Sequence, residues 1–319
     1  MPALLSSLSH LGLAKEVTLG VPLAATGWIP ILPNGFKPQD VYKYEEDTGY
    51  RGKPVQVYGA YQSVTSSTWE MEGDFFPGSG GNLLEAILGG TDTVTGTASP
   101  YTHAIATAES APSYTISDYY VAGARQWPGS RCDRLQLKFN AEAGMSYTAH
   151  WIGFPSATYV PEATYTFGTS PYLLGWEAAV SFGGTADANL ESFGLDLQRM
   201  KSKSLFAAAN SQKPYDSFLG PLSATWQLSF YMGADTEYAY ALAQQTQVVV
   251  VTVTEPGTGF TLTLTSSAVQ FTKPTINRGQ DWVVVELEGT AVYNATDAGL
   301  LQAGLKNGVA DPYSTQASS

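Results

Sequence analysis

The chain is short of charge. Lys, Arg, Asp and Glu make up 14% of its 319 residues, well below the usual quarter or so. So sparse a charge is expected of a surface that other subunits partly cover. Basic residues are the scarcer sign, 16 against 28 acidic, for a net charge of −12. This balance excludes a protein that grips nucleic-acid phosphates, which needs clustered Lys and Arg. It leaves open a surface that nucleic acid slides past. A single cysteine, Cys132, excludes an intrachain disulfide and reads as a small buried apolar residue. No apolar run is long enough to span a bilayer as a helix, and no membrane association is expected. The opening MPALLSSLSHLGLAKE has no basic segment before its apolar residues, so no signal peptide is expected and synthesis is expected in a cytoplasm.

Catalytic signatures are missing too. The sequence has no HExxH, CxxC, Walker-type loop or dinucleotide fingerprint, and no nucleophile elbow within residues 175–184. His10, His103 and His150 are far apart, without ligand-type partners at short spacing, and no Ser/His/Asp triad is proposed. PGSGG at 77–81 precedes a helix and has the look of a phosphate cradle, but no Lys-Ser/Thr follows it, so it reads as a tight turn. No catalytic residue, metal site or cofactor is expected, and the chain does not read as an enzyme.

What is present is β structure. Thr, Val, Tyr, Gly and Pro are frequent, and turn signals recur at 33–35 (PNG), 77–81 and 256–259 (PGTG). Short strands with such punctuation predict a mainly β sandwich or barrel. One module occurs twice. Residues 67–90 read STWEMEGDFFPGSGGNLLEAILGG, and residues 223–245 read SATWQLSFYMGADTEYAYALAQQ. Each runs from a Trp-bearing strand through a turn into a helix. In the first, Leu83/Ile87 and Leu84/Leu88 share faces over a helix at 82–88, which Gly89 and Gly90 stop. In the second, Asp235 is the expected N-cap of a helix over 236–245, with Tyr238, Ala241, Leu242 and Gln245 on one face. Further strands are predicted near 17–32, 55–76, 101–106, 114–121, 134–140 and 145–152, then 173–182, 190–198, 247–254, 260–264, 269–272 and 282–293. The order predicts two tandem β domains, residues 1–160 and 161–311, and a flexible tail at 312–319. Residues 37–59 read as a long connection, the kind of segment that is functional when it occurs in a compact domain.

On the first Trp strand, Glu70, Glu72 and Asp74 alternate with Trp69, Met71 and Phe75, so the three carboxylates face one way. Three readings stay open: a solvated acidic face, a glycosidase pair, or the wall of a channel. Glu286 and Glu288, two apart and off the Val283/Val285/Leu287 face, would extend such a wall.

The opening LGLAKEVTLGVP at 11–22, the end of the Trp strand at 73–75, the NLLEAILGG helix and the closing WVVVELEGTAVYN together resemble the tail tube (major tail) proteins of long-tailed, non-contractile bacteriophages. The resemblance covers nearly the whole chain and lies in the order and spacing of the motifs. It implies a structural virion protein. Each domain would be a β-sandwich flanked by a short helix, and inner sheets of neighbouring subunits would join into a closed β-barrel. Rings would stack into a hollow tube through which DNA passes without specific binding. A duplicated chain implies a trimeric ring with pseudo-sixfold symmetry; the alternative is a hexamer with an outer decoration domain. The long connection stands where the family's inter-ring loop stands, which assigns Tyr42, Tyr44, Glu45, Glu46, Asp47, Tyr50, Arg51 and Lys53 to ring stacking. Glu70, Glu72, Asp74, Glu286 and Glu288 would line the lumen. Because Gln227 and Ser229 replace Glu70 and Glu72 in the second module, acidic and neutral sectors are expected to alternate around the ring. The implied partners are the chain itself, the tape measure protein, and tail terminator and distal tail proteins. The runner-up reading is a carbohydrate-binding or adhesion module that uses its 19 tyrosines and 7 tryptophans as stacking platforms.

Overall fold

The computed structural model describes residues 6–120, 123–159, 165, 167–168, 170–187, 189–208, 212–233, 238–239, 242, 246–279 and 281–313. The first half contributes β1 (His10–Lys15), β2 (Gly27–Ile29), β3 (Gln39–Asp47), β4 (Gly59–Asp74), the helix α1 (Pro77–Leu88), β5 (Gly89–Thr95), β6 (Tyr101–Thr107), β7 (Tyr114–Tyr120), β8 (Gly123–Asn140), β9 (Ser146–Gly153) and β10 (Ala157–Tyr159). The second contributes β11 (Ala178–Phe182), β12 (Thr185–Asp187), β13 (Leu190–Arg199), β14 (Lys203–Leu205), β15 (Asp216–Phe218), β16 (Leu222–Tyr231), β17 (Gln247–Thr254), β18 (Thr261–Phe271), β19 (Thr275–Asn277), β20 (Val284–Ala291) and β21 (Gln302–Asn307). The protein is mainly β, as its turn-rich sequence predicts.

One antiparallel sheet organises the molecule, in the order β3-β4-β9-β8-β13-β16-β20-β19. Four of these strands come from each half, and the halves meet where Arg134–Asn140 of β8 pairs with Ser192–Gln198 of β13. The sheet therefore runs unbroken through the expected domain boundary. It is open: among the described residues β3 pairs with β4 alone and β19 with β20 alone. Six pairings recur in the same chain order in both halves. β1–β2, β1–β7, β7–β8, β8–β9, β4–β9 and β3–β4 are matched by β11–β12, β11–β17, β17–β18, β18/β19–β20, β16–β20 and β13–β16. β5 and β6, between α1 and β7, have no such match; β6 is joined by β21 to β18.

Period-two alternation puts Trp69, Met71, Leu135, Leu137, Tyr147, Ala149 and Trp151 on the buried face of this sheet, with Leu195, Leu197, Trp226, Leu228, Phe230, Val285 and Leu287. Cys132 is buried among them. The helix α1 packs on that face and is buried almost all round. It begins earlier than expected: PGSGG is its first turn rather than a tight turn, with Pro77 at a position where a missing N–H costs nothing. A Cβ at Gly81 would collide with the ring of Tyr313, so glycine there permits the close approach. Tyr313 itself, assigned by sequence to a flexible tail, is buried; its backbone N–H donates to Asp92 (2.9 Å) and its hydroxyl to the Gly78 carbonyl (2.9 Å). Residues 314–319 lie outside the described residues.

Other expectations also need correcting. Residues 39–47 form a strand, not a connection. Of the strand structure expected over 17–32, β2 forms, with β1 as its partner, and β21 has no counterpart among the expected strands. Of the expected second helix, Tyr238, Ala239 and Leu242 are helical; Asp235, Ala241, Gln245 and the rest of its expected span lie outside the described residues.

Candidate functional site

The face of the eight-stranded sheet turned away from the core is polar along its whole width. Glu70, Glu72 and Asp74 lie on it at β4, and Glu286 and Glu288 lie on the same face at β20. Five inter-strand steps separate these two groups, about 24 Å at the usual strand spacing, so they form a wall rather than one acidic cluster. Asp74 and Glu288 nevertheless share one cross-strand row, which runs Asp74, Ser146, Lys138, Gly194, Gln227, Glu288. Gln227 lies beside Glu288 and Ser229 beside Glu286. The first half thus carries its carboxylates on β4, and the second carries them on β20 beside the neutral Gln227 and Ser229 of β16.

Cations share this face, which the acidic stripe alone does not suggest. Arg134 forks onto Asp196 across the β8–β13 seam, Nε to Oδ1 at 2.9 Å and Nη2 to Oδ2 at 2.6 Å, and Gln136 donates to the same carboxylate at 3.2 Å. Lys138 follows on the same strand face, exposed. His150, directly opposite Glu70, is hydrogen bonded through Nδ1 to Asp133 and through Nε2 to the Thr68 hydroxyl at 3.1 Å. The Asp133 carboxylate raises its pKa against the opposing effect of burial. Lys273 donates to Glu288 (2.8 Å) and Asn277 to Glu286 (3.1 Å). The face is acidic with interspersed, mostly paired cations. The signal is in the sequence: Arg134, Gln136 and Lys138 alternate with Leu135 and Leu137 as plainly as the acidic stripe does.

At one end of this sheet β3 and β4 continue past β9 as a two-stranded arm, Tyr44–Asp47 paired with Gln62–Gly59. Tyr42, Tyr44, Glu45 and Glu46 are exposed on β3, and Asp47 closes it. Tyr50, fully exposed, stands in the turn at 48–58 with Arg51 and Lys53. Arg51 bonds Asp47 and lies over the Tyr58 ring, 4.9 Å from its centroid; Tyr58 also donates to the Lys53 carbonyl. The arm's base is braced from the second half. Thr65 N–H donates to the Gln212 carbonyl (2.8 Å), and the Gln212 side chain donates to the Gln62 carbonyl (3.0 Å). Beside it Arg131 bonds the carbonyl of Ser217 and lies 3.4 Å from Asp216, on β15.

Among the described residues no group of three His, Cys, Asp or Glu could hold a metal ion, and no helix is long and apolar enough to cross a membrane. Trp69, Trp127, Trp151 and Trp226 are buried and belong to the core, whereas Trp176, Trp282 and tyrosines such as Tyr50, Tyr61 and Tyr293 are exposed.

No curated protein gives a match to the chain. The family model described as phage tail tube protein matches residues 6–291, a span that takes in both halves, the polar sheet face and the arm. The chain belongs to the phage tail tube protein family.

Proposed function

We propose that the chain is the repeating subunit of a tail tube that polymerises into stacked rings and conducts the viral genome through its bore. The observation that carries this reading is the β8–β13 seam. Each half supplies a four-stranded sheet, and within one chain the last strand of the first sheet pairs antiparallel with the first strand of the second. The free edges are the corresponding strands, β19 and β3. Eight strands alternate in direction, so β19 of one subunit meets β3 of the next antiparallel, as β8 meets β13. Repetition of that seam closes a barrel and removes the exposed edges, which would otherwise template aggregation.

The matched pairings support two tandem tube domains, residues 1–160 and 161–311, and three chains per ring with pseudo-sixfold symmetry. In that ring the polar face is the lumen. Glu70, Glu72, Asp74, Glu286 and Glu288 repel DNA phosphates within a Debye length of about 8 Å, which keeps DNA from sticking to the wall. The arm, with Tyr42, Tyr44, Glu45, Glu46, Asp47, Tyr50, Arg51 and Lys53, reaches the neighbouring ring. The role is structural, in the virion tail after synthesis in the host cytoplasm. Tape measure protein would occupy the bore before DNA, and terminator and distal tail proteins the tube's ends. Negative-stain microscopy of the purified chain tests the reading: rings or tubes with a central bore are expected, and monomers at every concentration and salt would contradict it.

A further inference from the structure

We propose that the cavity at the head of α1 receives Tyr50 of a subunit in the adjacent ring, an inference that rests on the ring-stacking reading above. The cavity holds about 450 Å³ and is lined, among others, by Trp28, Phe76, Ser79, Asn82, Phe260 and Tyr313. That volume lies within the ~300–1,000 Å³ of small-ligand pockets.

Its position selects the occupant. β4 begins in the arm at Gly59 and ends at Asp74, and the chain passes through Phe76 straight into α1. The arm and the cavity are therefore at opposite ends of one strand. Head-to-tail stacking along the strand direction brings the arm of one ring to the cavity end of the next. Beyond its brace at Gln62 and Thr65 the arm extends through three residue pairs, Glu45–Asp47 with Tyr61–Gly59, about 10 Å at strand rise, and then through the turn that carries Tyr50.

The chemistry agrees. Aromatic walls with Ser79 and Asn82 among them suit a side chain with an apolar ring and one hydroxyl, which needs both when buried. Tyr50 is the fully exposed tyrosine of the arm, set between Gly49 and Gly52, the latter in the left-handed region at φ 70°. Arg51, the nearest cation, is held back by Asp47 and Tyr58, which leaves the phenol to lead.

The test is disulfide trapping in assembled tubes. Cys132 is buried and stays silent. Tyr50→Cys combined with Ser79→Cys, and separately with Thr258→Cys on the cavity rim, should give crosslinked ladders in tubes and none in unassembled protein or in single variants. Tyr50→Ala should leave rings intact but weaken stacking about tenfold, as loss of one anchoring aromatic does. Tubes that assemble normally yet crosslink in neither pair would overturn the docking and leave the tube reading standing. Wild-type protein that forms neither rings nor tubes would overturn both.

Discussion

Arg199, the last residue of β13, donates through Nη2 to the carbonyl of Leu88, the last residue of α1, at 2.9 Å. Its other bonds go to the carbonyls of Ile87, Ala108 and Glu109. A guanidinium from the second half thus closes the C-terminus of the first half's helix, where unpaired carbonyls and the helix dipole favour a cation. Burial lowers its pKa from the ordinary arginine value. Arg199→Ala strands buried carbonyls and should cost about 3–4 kcal/mol, the scale of losing several hydrogen bonds to one charged group. Urea unfolding of the variant measures it; a loss below about 1 kcal/mol would show that the two halves do not depend on this link.

Glu85 predicts a pH dependence. It lies buried on α1, receives a bond from Lys15 Nζ at 2.7 Å and another from the Tyr114 hydroxyl, and is pushed up by burial, against the pull of Lys15, to about 7. Between its unfolded value near 4.5 and about 7 the folded state holds a proton that the unfolded state releases, so stability falls as pH rises through that window. Glu85→Gln should flatten this part of the stability–pH curve. Asp118, raised by burial to about 6, contributes a decline of the same sign in both proteins, so the comparison is the difference between the two curves.

His103 adds a third decline. Its ring donates toward Asp92 (2.7 Å) and the Val309 carbonyl (2.9 Å), and these bonds outweigh burial to raise its pKa. Acceptors at both ring nitrogens favour the doubly protonated ring. Its stabilisation is complete below the unfolded value of 6.5 and is lost as pH rises through the folded value. His103→Gln should loosen the segment around Val309 and Tyr313, read as faster amide hydrogen exchange at Tyr313 N–H.

Charge reversal on the polar face separates folding from transport. Glu70 and Glu72 are exposed, and changing both to Lys should alter stability by no more than about 0.5 kcal/mol. Tubes should still form, bind DNA that the wild-type tube ignores, and slow genome release. Normal release from phage that carry the double variant would remove these residues from the lumen.

Replacing residues 48–58 with a two-residue turn retains β3 and its free edge while removing the arm's tip. Rings should form and fail to stack, which sedimentation resolves. Full-length tubes from this variant would end the arm's role in stacking.

The parts of this fold that are legible in the sequence are those with a single dominant period. The Trp69/Met71 and Trp226/Leu228 strands alternate cleanly, and the Leu83–Leu88 helix has its faces and its glycine stop. β3 is not legible because its side chains are almost all exposed: a strand with neither face buried carries no alternation to read. α1 is foreshortened in the sequence because glycine at 80 and 81 serves close packing against Phe75 and Tyr313, a tertiary reason with no local signature. The β8–β13 seam, Arg199 and the brace at Gln212 join residues distant in the sequence, and no local pattern announces such pairs.

The central claim is that the β8–β13 seam is repeated between subunits through β19 and β3. Native mass spectrometry of isolated rings, paired with end-on class averages, tests it most directly. Three copies of the 34.0 kDa chain with six similar sectors around the bore are predicted. Six whole copies per ring, or three copies without sixfold pseudo-symmetry at the inner wall, would contradict it.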